Sequence, residues 1–139
     1  MIARLRRWRH AHITIPRWLL GAIYLSYALI GLAIVVGGSP TLEFIIGKLG
    51  ATIWAWLLVV VALGAMVGSG GEKLEALERW SSLGVASLLT TYVASAITAA
   101  QLDHTHAFIR WGGAIIAMFM FLLPAVRAGA LLTRTGTKG

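Results

Sequence analysis

Residues 51–67, with the sequence ATIWAWLLVVVALGAMV, contain no charged side chain. An α-helix rises about 1.5 Å per residue, so a stretch of this length crosses most of the ~30 Å hydrocarbon core of a bilayer. The stretch does not alternate between apolar and polar residues, as a strand of a membrane barrel would. It therefore predicts a membrane-spanning α-helix.

The rest of the chain repeats this pattern. Its 139 residues are 58% hydrophobic and only 12% charged, whereas a soluble domain is about half apolar and about a quarter charged. The apolar run that begins at Trp18 is too long for a secretion signal and lacks a cleavage site, so we expect it to be retained. Together with residues 51–67, the predicted spans are residues 18–36, 83–100 and 107–126.

These stretches predict one all-α domain over residues 1–139. It is an integral membrane bundle of four transmembrane helices, with a basic arm at residues 1–17 and a basic tail at residues 127–139. The segment Ser39-Pro40-Thr41-Leu42-Glu43 is typical of a helix start, with a capping serine, proline in the first turn and an early acid. We therefore expect the second helix to begin near Pro40 and to bend at Gly47 or Gly50 if it is not continuous.

The basic residues predict the orientation of the chain in the membrane. Only Lys48 and Arg110 lie in or beside the first and third connections. Lys and Arg are retained on the cytoplasmic side, so we predict a cytoplasmic-membrane protein with both termini in the cytoplasm (N-in/C-in) and its basic ends near anionic headgroups. The net charge of +7 is thereby explained without nucleic acid. The ten residues on the predicted cytoplasmic side are Arg4, Arg6, Arg7, Arg9, Arg17, Lys73, Arg79, Arg127, Arg134 and Lys138.

The third span is rich in small and hydroxylated residues that follow a 3-4 spacing and so form one seam along the helix. The seam is open to two interpretations: tight helix packing, or the wall of a water-filled path in an oligomer. Gly64 and Gly68 on the second span form a small-xxx-small pair that packs either within the bundle or between copies. The candidate positions on the third span are Gly84, Ser87, Thr91, Ser95 and Thr98.

Arg110 is the only charge within the apolar stretches. It either extends to the membrane interface, pairs with Asp103 or Glu43, or forms a pore constriction or anion site. The neighbouring Asp103-His104-Thr105-His106 is interpreted as a solvated loop, with a metal site or a pH response as the alternatives.

The spans lack the residues that catalysis, or the binding of a cofactor or a metal, would need. The chain has no cysteine, no acid deep in a span, no pair of histidines within the helices and no Gly-rich phosphate loop. A catalytic serine would lack a membrane-embedded base. We therefore expect no enzymatic activity, no cofactor and no metal site.

The Arg-rich start Arg4-Leu-Arg-Arg-Trp-Arg9, the short connections, the Ala- and Gly-rich spans and the basic tail Arg134-Thr-Gly-Thr-Lys138 give the chain a distinct character. In this character the whole chain resembles small four-pass membrane proteins of actinobacterial phages and prophages, which include holin-like and exclusion proteins. The resemblance includes no diagnostic motif, so it assigns no functional residue.

Two functional hypotheses follow. In the first, copies associate through the seam of the third span as a homo-oligomer and permeabilise the membrane, as holins do. In the second, the chain is a non-conducting module that binds a partner protein, as an exclusion protein or an accessory subunit. The second hypothesis places the docking surface on the charged segment before the third span, at Glu72, Glu75, Glu78 and Arg79.

Overall fold

The computed structural model describes residues 16–136, without the side chains of Glu72 and of residues 133–136. Most of the predicted basic arm and the last residues of the tail therefore lie outside the described residues. Within the described range the chain forms four long α-helices, which we name α1 (Arg17–Gly37), α2 (Pro40–Gly68), α3 (Glu75–Leu102) and α4 (Ala107–Gly136). Short 3-10 turns at Glu72–Leu74 and His104–His106 precede α3 and α4.

All four helices are long and apolar enough to cross a bilayer, which confirms the predicted all-α membrane bundle. The helices run up and down and pack in chain order, α1 on α2, α2 on α3 and α3 on α4. The α1–α2 and α3–α4 connections lie at one end, here called the distal end. The opposite end, here called the proximal end, holds the α2–α3 connection, the start of α1 and the end of α4.

The predicted start of α2 is confirmed. Ser39 caps the helix, because its hydroxyl oxygen accepts the N–H of Leu42 at 3.5 Å while the Glu43 carboxylate accepts the N–H of Ser39 at 3.2 Å. The helix is interrupted at Gly47, where φ is 74° and ψ is 168°. This backbone conformation is accessible mainly to glycine. The expected bend therefore lies at Gly47, and a short distal segment precedes the main span.

Close approach of α2 to its neighbours depends on small residues. A Cβ at Gly64 would lie 2.7 Å from the Ser81 hydroxyl, and one at Gly68 would overlap the backbone of Glu78. A Cβ at Gly31 of α1 would lie 2.9 Å from the carbonyl oxygen of Ala55. Lipid tails are as apolar as the helix surfaces, so the hydrophobic effect does not drive helices together in the membrane. Close packing of the backbones is therefore a main source of helix association.

Candidate functional site

The membrane-facing side of α3 differs from that of the other helices. Between Trp80 and Leu102, α3 exposes no large apolar side chain, whereas α1, α2 and α4 each expose several in the middle of their spans. Of the four candidate spans, α3 also has the lowest mean hydropathy. We call this surface the hydroxyl face; its exposed residues are Ser87, Thr90, Thr91, Ala94, Thr98 and Gln101.

The threonines of the hydroxyl face are hydrogen-bonded within their own helix. The hydroxyls of Thr90, Thr91 and Thr98 donate to the carbonyl oxygens four residues earlier at 2.9, 3.1 and 2.9 Å. This arrangement satisfies the hydroxyl donors in an apolar environment and keeps the side chains close to the helix. The face is therefore narrow, weakly polar and able to accept a close neighbour.

The structure divides the seam that the sequence predicts on α3. Ser87, Thr91 and Thr98 are exposed, but Ser95 is buried, and a Cβ at Gly84 would lie 3.2 Å from the Val61 side chain of α2. At 100° per residue, the seam follows the border between the hydroxyl face and the contact with α2. Association through Gly84, Thr91 and Ser95 together stays a prediction, but part of that surface is already covered within the chain. Small residues indicate close packing but not which neighbour provides it.

The small-xxx-small pair of α2 is likewise used inside the molecule. Gly64 faces Ser81 and Gly68 faces Glu78, both on the first turns of α3. The sequence allowed this pair to pack either within the bundle or between copies, and in the structure it packs within the bundle.

A buried ion pair joins α3 to α4 at the proximal end. The Arg127 guanidinium donates to both carboxylate oxygens of Glu78 at 2.7 and 3.2 Å, and Glu78 is only 3% exposed. Next to it, the hydroxyls of Tyr24 and Ser82 form a hydrogen bond of 2.7 Å between α1 and α3. Two planar charged groups in this bidentate arrangement provide both attraction and orientation.

This pair corrects the predicted docking surface. Glu78 faces the bundle and not a partner, because it lies on the buried face of α3 with Ser82, Val85 and Leu89. That 3-4 spacing, and a basic residue at the matching depth of the fourth span, were the signals that sequence analysis missed. Of the other docking candidates, Glu75 is half-buried, Arg79 lies over the Trp80 ring at 5.7 Å, and Glu72 lies in the preceding 3-10 turn.

Arg110 is held at the distal end by three groups. It donates to the Ala99 carbonyl oxygen at 3.0 Å, pairs with Asp103 at 2.9 Å, and lies 4.6 Å above the centre of the Phe44 ring. It is 9% exposed. The pairing with Asp103 that the sequence allowed is therefore present, and it ties α4 to α3 and to the distal segment of α2.

Asp103 is the shared partner in the distal connection. The His106 ring nitrogen Nδ1 lies 3.2 Å from the Asp103 carboxylate. The hydrogen bond with His106, and to a smaller degree the charge of Arg110, hold the pKa of Asp103 below its ordinary value of 3.8, against the opposing effect of desolvation. Among the described residues no three His, Cys, Asp or Glu side chains converge in a way that would hold a metal ion.

No known protein family, characterised protein or solved structure matches the chain. The functional argument therefore depends on the chain's own surfaces: the hydroxyl face, the two ion pairs, and the cavities between the helices.

Proposed function

We propose that this small membrane protein self-associates through the hydroxyl face of α3 and thereby permeabilises the membrane, in the manner of a holin. The observation that carries the proposal is the absence of large apolar side chains on the exposed side of α3 between Trp80 and Leu102. Small residues and hydroxyls favour helix contacts in lipid because the backbones approach closely.

A conducting path would be built from several copies. The threonine hydroxyls donate to their own helix, so their oxygen atoms remain as acceptors toward a neighbour or toward water. Gln101 at the distal end adds an exposed amide. A ring of α3 helices would therefore have a weakly polar lining, which is the chemistry that water entry into a membrane assembly needs. The proposal assigns no enzymatic reaction, and its phage-related aspect depends on the sequence resemblance alone.

Leakage of a dye from liposomes tests this proposal. We expect leakage to rise more steeply than in proportion to the number of copies per vesicle, and to fall when Ser87 and Thr91 are both replaced by Leu. Ser26→Leu is the matched control, because Ser26 is an exposed hydroxyl of α1 that also donates to its own helix, at 2.6 Å from the Ile23 carbonyl oxygen. Vesicles that stay intact at high protein loading would contradict permeabilisation.

A second candidate function is the non-conducting partner-binding module. It is favoured by an exposed apolar surface at the proximal start of α3, where Leu77 and Trp80 are 42% and 67% exposed. This surface replaces the acidic one expected from the sequence, because Glu78 is buried. Intact liposomes, combined with cross-linking of another protein to Leu77 and Trp80 positions in cells, would favour this candidate.

A further inference from the structure

An apolar cavity of about 420 Å³ lies between α1 and α4 in the distal half of the bundle. Tyr27 and Ile30 line it from α1, Ile116 and Met120 from α4, and Trp54 from α2. Ile30 and Ile116 are exposed, and α1 contacts α4 far less than it contacts α2, so the cavity opens sideways toward the membrane. A closed apolar cavity of about 150 Å³ is enough to bind benzene, so this one accommodates a much longer hydrocarbon.

A polar cavity of about 330 Å³ adjoins it at the distal end, and the two share Ile34 and Gly38. Lys48 and Glu43 both line the polar cavity. Lys48 is exposed and forms no ion pair within the described residues, and Glu43 uses one carboxylate oxygen to cap α2. The cavity thus presents one positive and one negative group close to the expected membrane surface.

Trp54 lines the apolar cavity with its indole ring. The side chain is 94% buried, its ring packs 5.9 Å from that of Tyr92, and its Nε1 finds no acceptor in the part of the chain that the structure describes. The ring therefore forms part of the apolar wall that a hydrocarbon chain in the cavity would contact.

We propose that the two cavities together bind one zwitterionic, amine-bearing phospholipid of the phosphatidylethanolamine class. One acyl chain fills the apolar cavity against the Trp54 ring, the phosphate lies at Lys48 and the ammonium lies at Glu43. A headgroup with both charges complements a cavity with both charges, whereas a purely anionic headgroup meets repulsion from Glu43. The site is independent of self-association, because the face of α3 that carries Leu89 and Tyr92 is roughly opposite the hydroxyl face.

Quenching of Trp54 fluorescence by brominated lipid tests the proposal. The protein keeps Trp54 and has its other five tryptophans replaced by Phe, with helix content checked by circular dichroism in the same vesicles. The vesicles contain equal amounts of phosphatidylethanolamine and phosphatidylglycerol, and only one of the two has brominated chains. We expect brominated phosphatidylethanolamine to quench about two- to fivefold more effectively, as one or two exposed charge pairs would produce. A protein that keeps only Trp56, which is 50% exposed on the surface, reports the bulk lipid ratio.

Two neighbouring glycines of α4 give a matched pair of variants. Gly113 lines the cavity and a Cβ there would lie 3.3 Å from the Tyr92 hydroxyl, whereas a Cβ at Gly112 would meet open space. Gly113→Leu should remove the quenching of Trp54 and Gly112→Leu should leave it unchanged, with Ala117→Phe as a second way to fill the cavity. Glu43→Gln, whose amide oxygen can still accept the N–H of Ser39, should abolish the preference between the two lipids. Lys48→Gln should weaken the quenching by both lipids, because both carry a phosphate.

Three results would overturn the proposal. They are a Trp54 that neither brominated lipid quenches, quenching that survives both cavity-filling variants, and quenching that matches the bulk ratio of the Trp56 control. The leakage experiment does not affect these outcomes, so failure of the lipid site and failure of permeabilisation are distinguishable.

Discussion

At the scale of single residues, the Glu78–Arg127 pair connects the proximal ends of α3 and α4. The Glu78 side chain is 4% exposed while the Arg127 side chain is 23% exposed, so the pair lies at the edge of the bundle and not at its centre. Both charges are oriented by two hydrogen bonds. Removing one partner leaves the other charge buried, which costs more than the pair itself contributes.

We predict that Glu78→Gln lowers the free energy of unfolding by about 2–4 kcal/mol, near the lower end for a broken buried pair because Arg127 is partly exposed. Combining it with Arg127→Met should recover part of this loss, since no unpaired charge remains. Unfolding in mixed micelles, followed by circular dichroism, measures both effects. Glu75→Gln, in the same helix but half-buried, is the control and should have little effect. Equal losses for Glu75→Gln and Glu78→Gln would count against the structural role of the pair.

Asp103 makes the distal end sensitive to acid. Its pKa in the folded protein is below the ordinary value of 3.8, so the folded state favours the charged carboxylate. The resulting stability is fully present above pH 3.8 and is lost as the pH falls through the lower folded-state pKa.

The difference in thermal midpoint between the unmodified protein and Asp103→Asn should therefore be constant from neutral pH down to about pH 5 and should close below it. Thermal unfolding followed by circular dichroism between neutral and strongly acidic pH measures this difference. A difference that widens as the pH falls would show that Asp103 is not stabilised as an anion.

At the scale of helices, the contact between α2 and α3 depends on glycine. A Cβ at Gly68 would overlap the backbone of Glu78, which cannot move aside as a side chain would. By contrast, a Cβ at Gly21 of α1 would meet no atom within 4 Å.

Gly68→Ala should therefore destabilise the bundle by about 1–3 kcal/mol, the usual cost of overpacking. Gly21→Ala should be neutral or stabilising by up to about 1 kcal/mol, because alanine favours the helix. The two substitutions are chemically identical, so unfolding measurements under one condition compare the sites directly. Similar effects at both positions would mean that α2 and α3 do not approach as closely as described.

The helices also show which features the sequence predicts and which it does not. Apolar runs of the right length predict four spans, and Ser39 and Pro40 predict the cap of α2, because both depend on local chain chemistry. The sequence left the bend open between Gly47, Gly50 and a continuous helix, and the structure places it at Gly47. The burial of Glu78 depends on its ion pair with Arg127, which lies 49 positions away, so the local 3-4 spacing does not by itself decide that the carboxylate is buried. The 3-4 spacing places Gly84, Thr91 and Ser95 on one side of α3, but only the position of α2 decides which of them stay exposed.

At the scale of the whole molecule, the orientation in the membrane remains a prediction from ten basic residues against two. The chain has no cysteine, so a single introduced cysteine is a unique label. Ala76 at the proximal end and Thr105 at the distal end are both exposed.

We predict that a membrane-impermeant maleimide added to intact cells labels Thr105→Cys but not Ala76→Cys, because the proximal end faces the cytoplasm. Lysed cells should give equal labelling of the two variants and so control for reactivity. The reverse pattern in intact cells would contradict the N-in/C-in orientation.

The bundle as a whole has one weakly polar membrane-facing surface, and its other three helices present bulky apolar side chains to lipid. The central claim is that this surface joins copies of the chain. The most direct test is energy transfer between donor- and acceptor-labelled copies in liposomes, measured over a range of protein-to-lipid ratios. We predict transfer that exceeds random proximity at low protein density, that is lost in Ser87→Leu/Thr91→Leu, and that persists in Ser26→Leu. Transfer no greater than that of randomly dispersed copies, or equal transfer in the two variants, would contradict the claim.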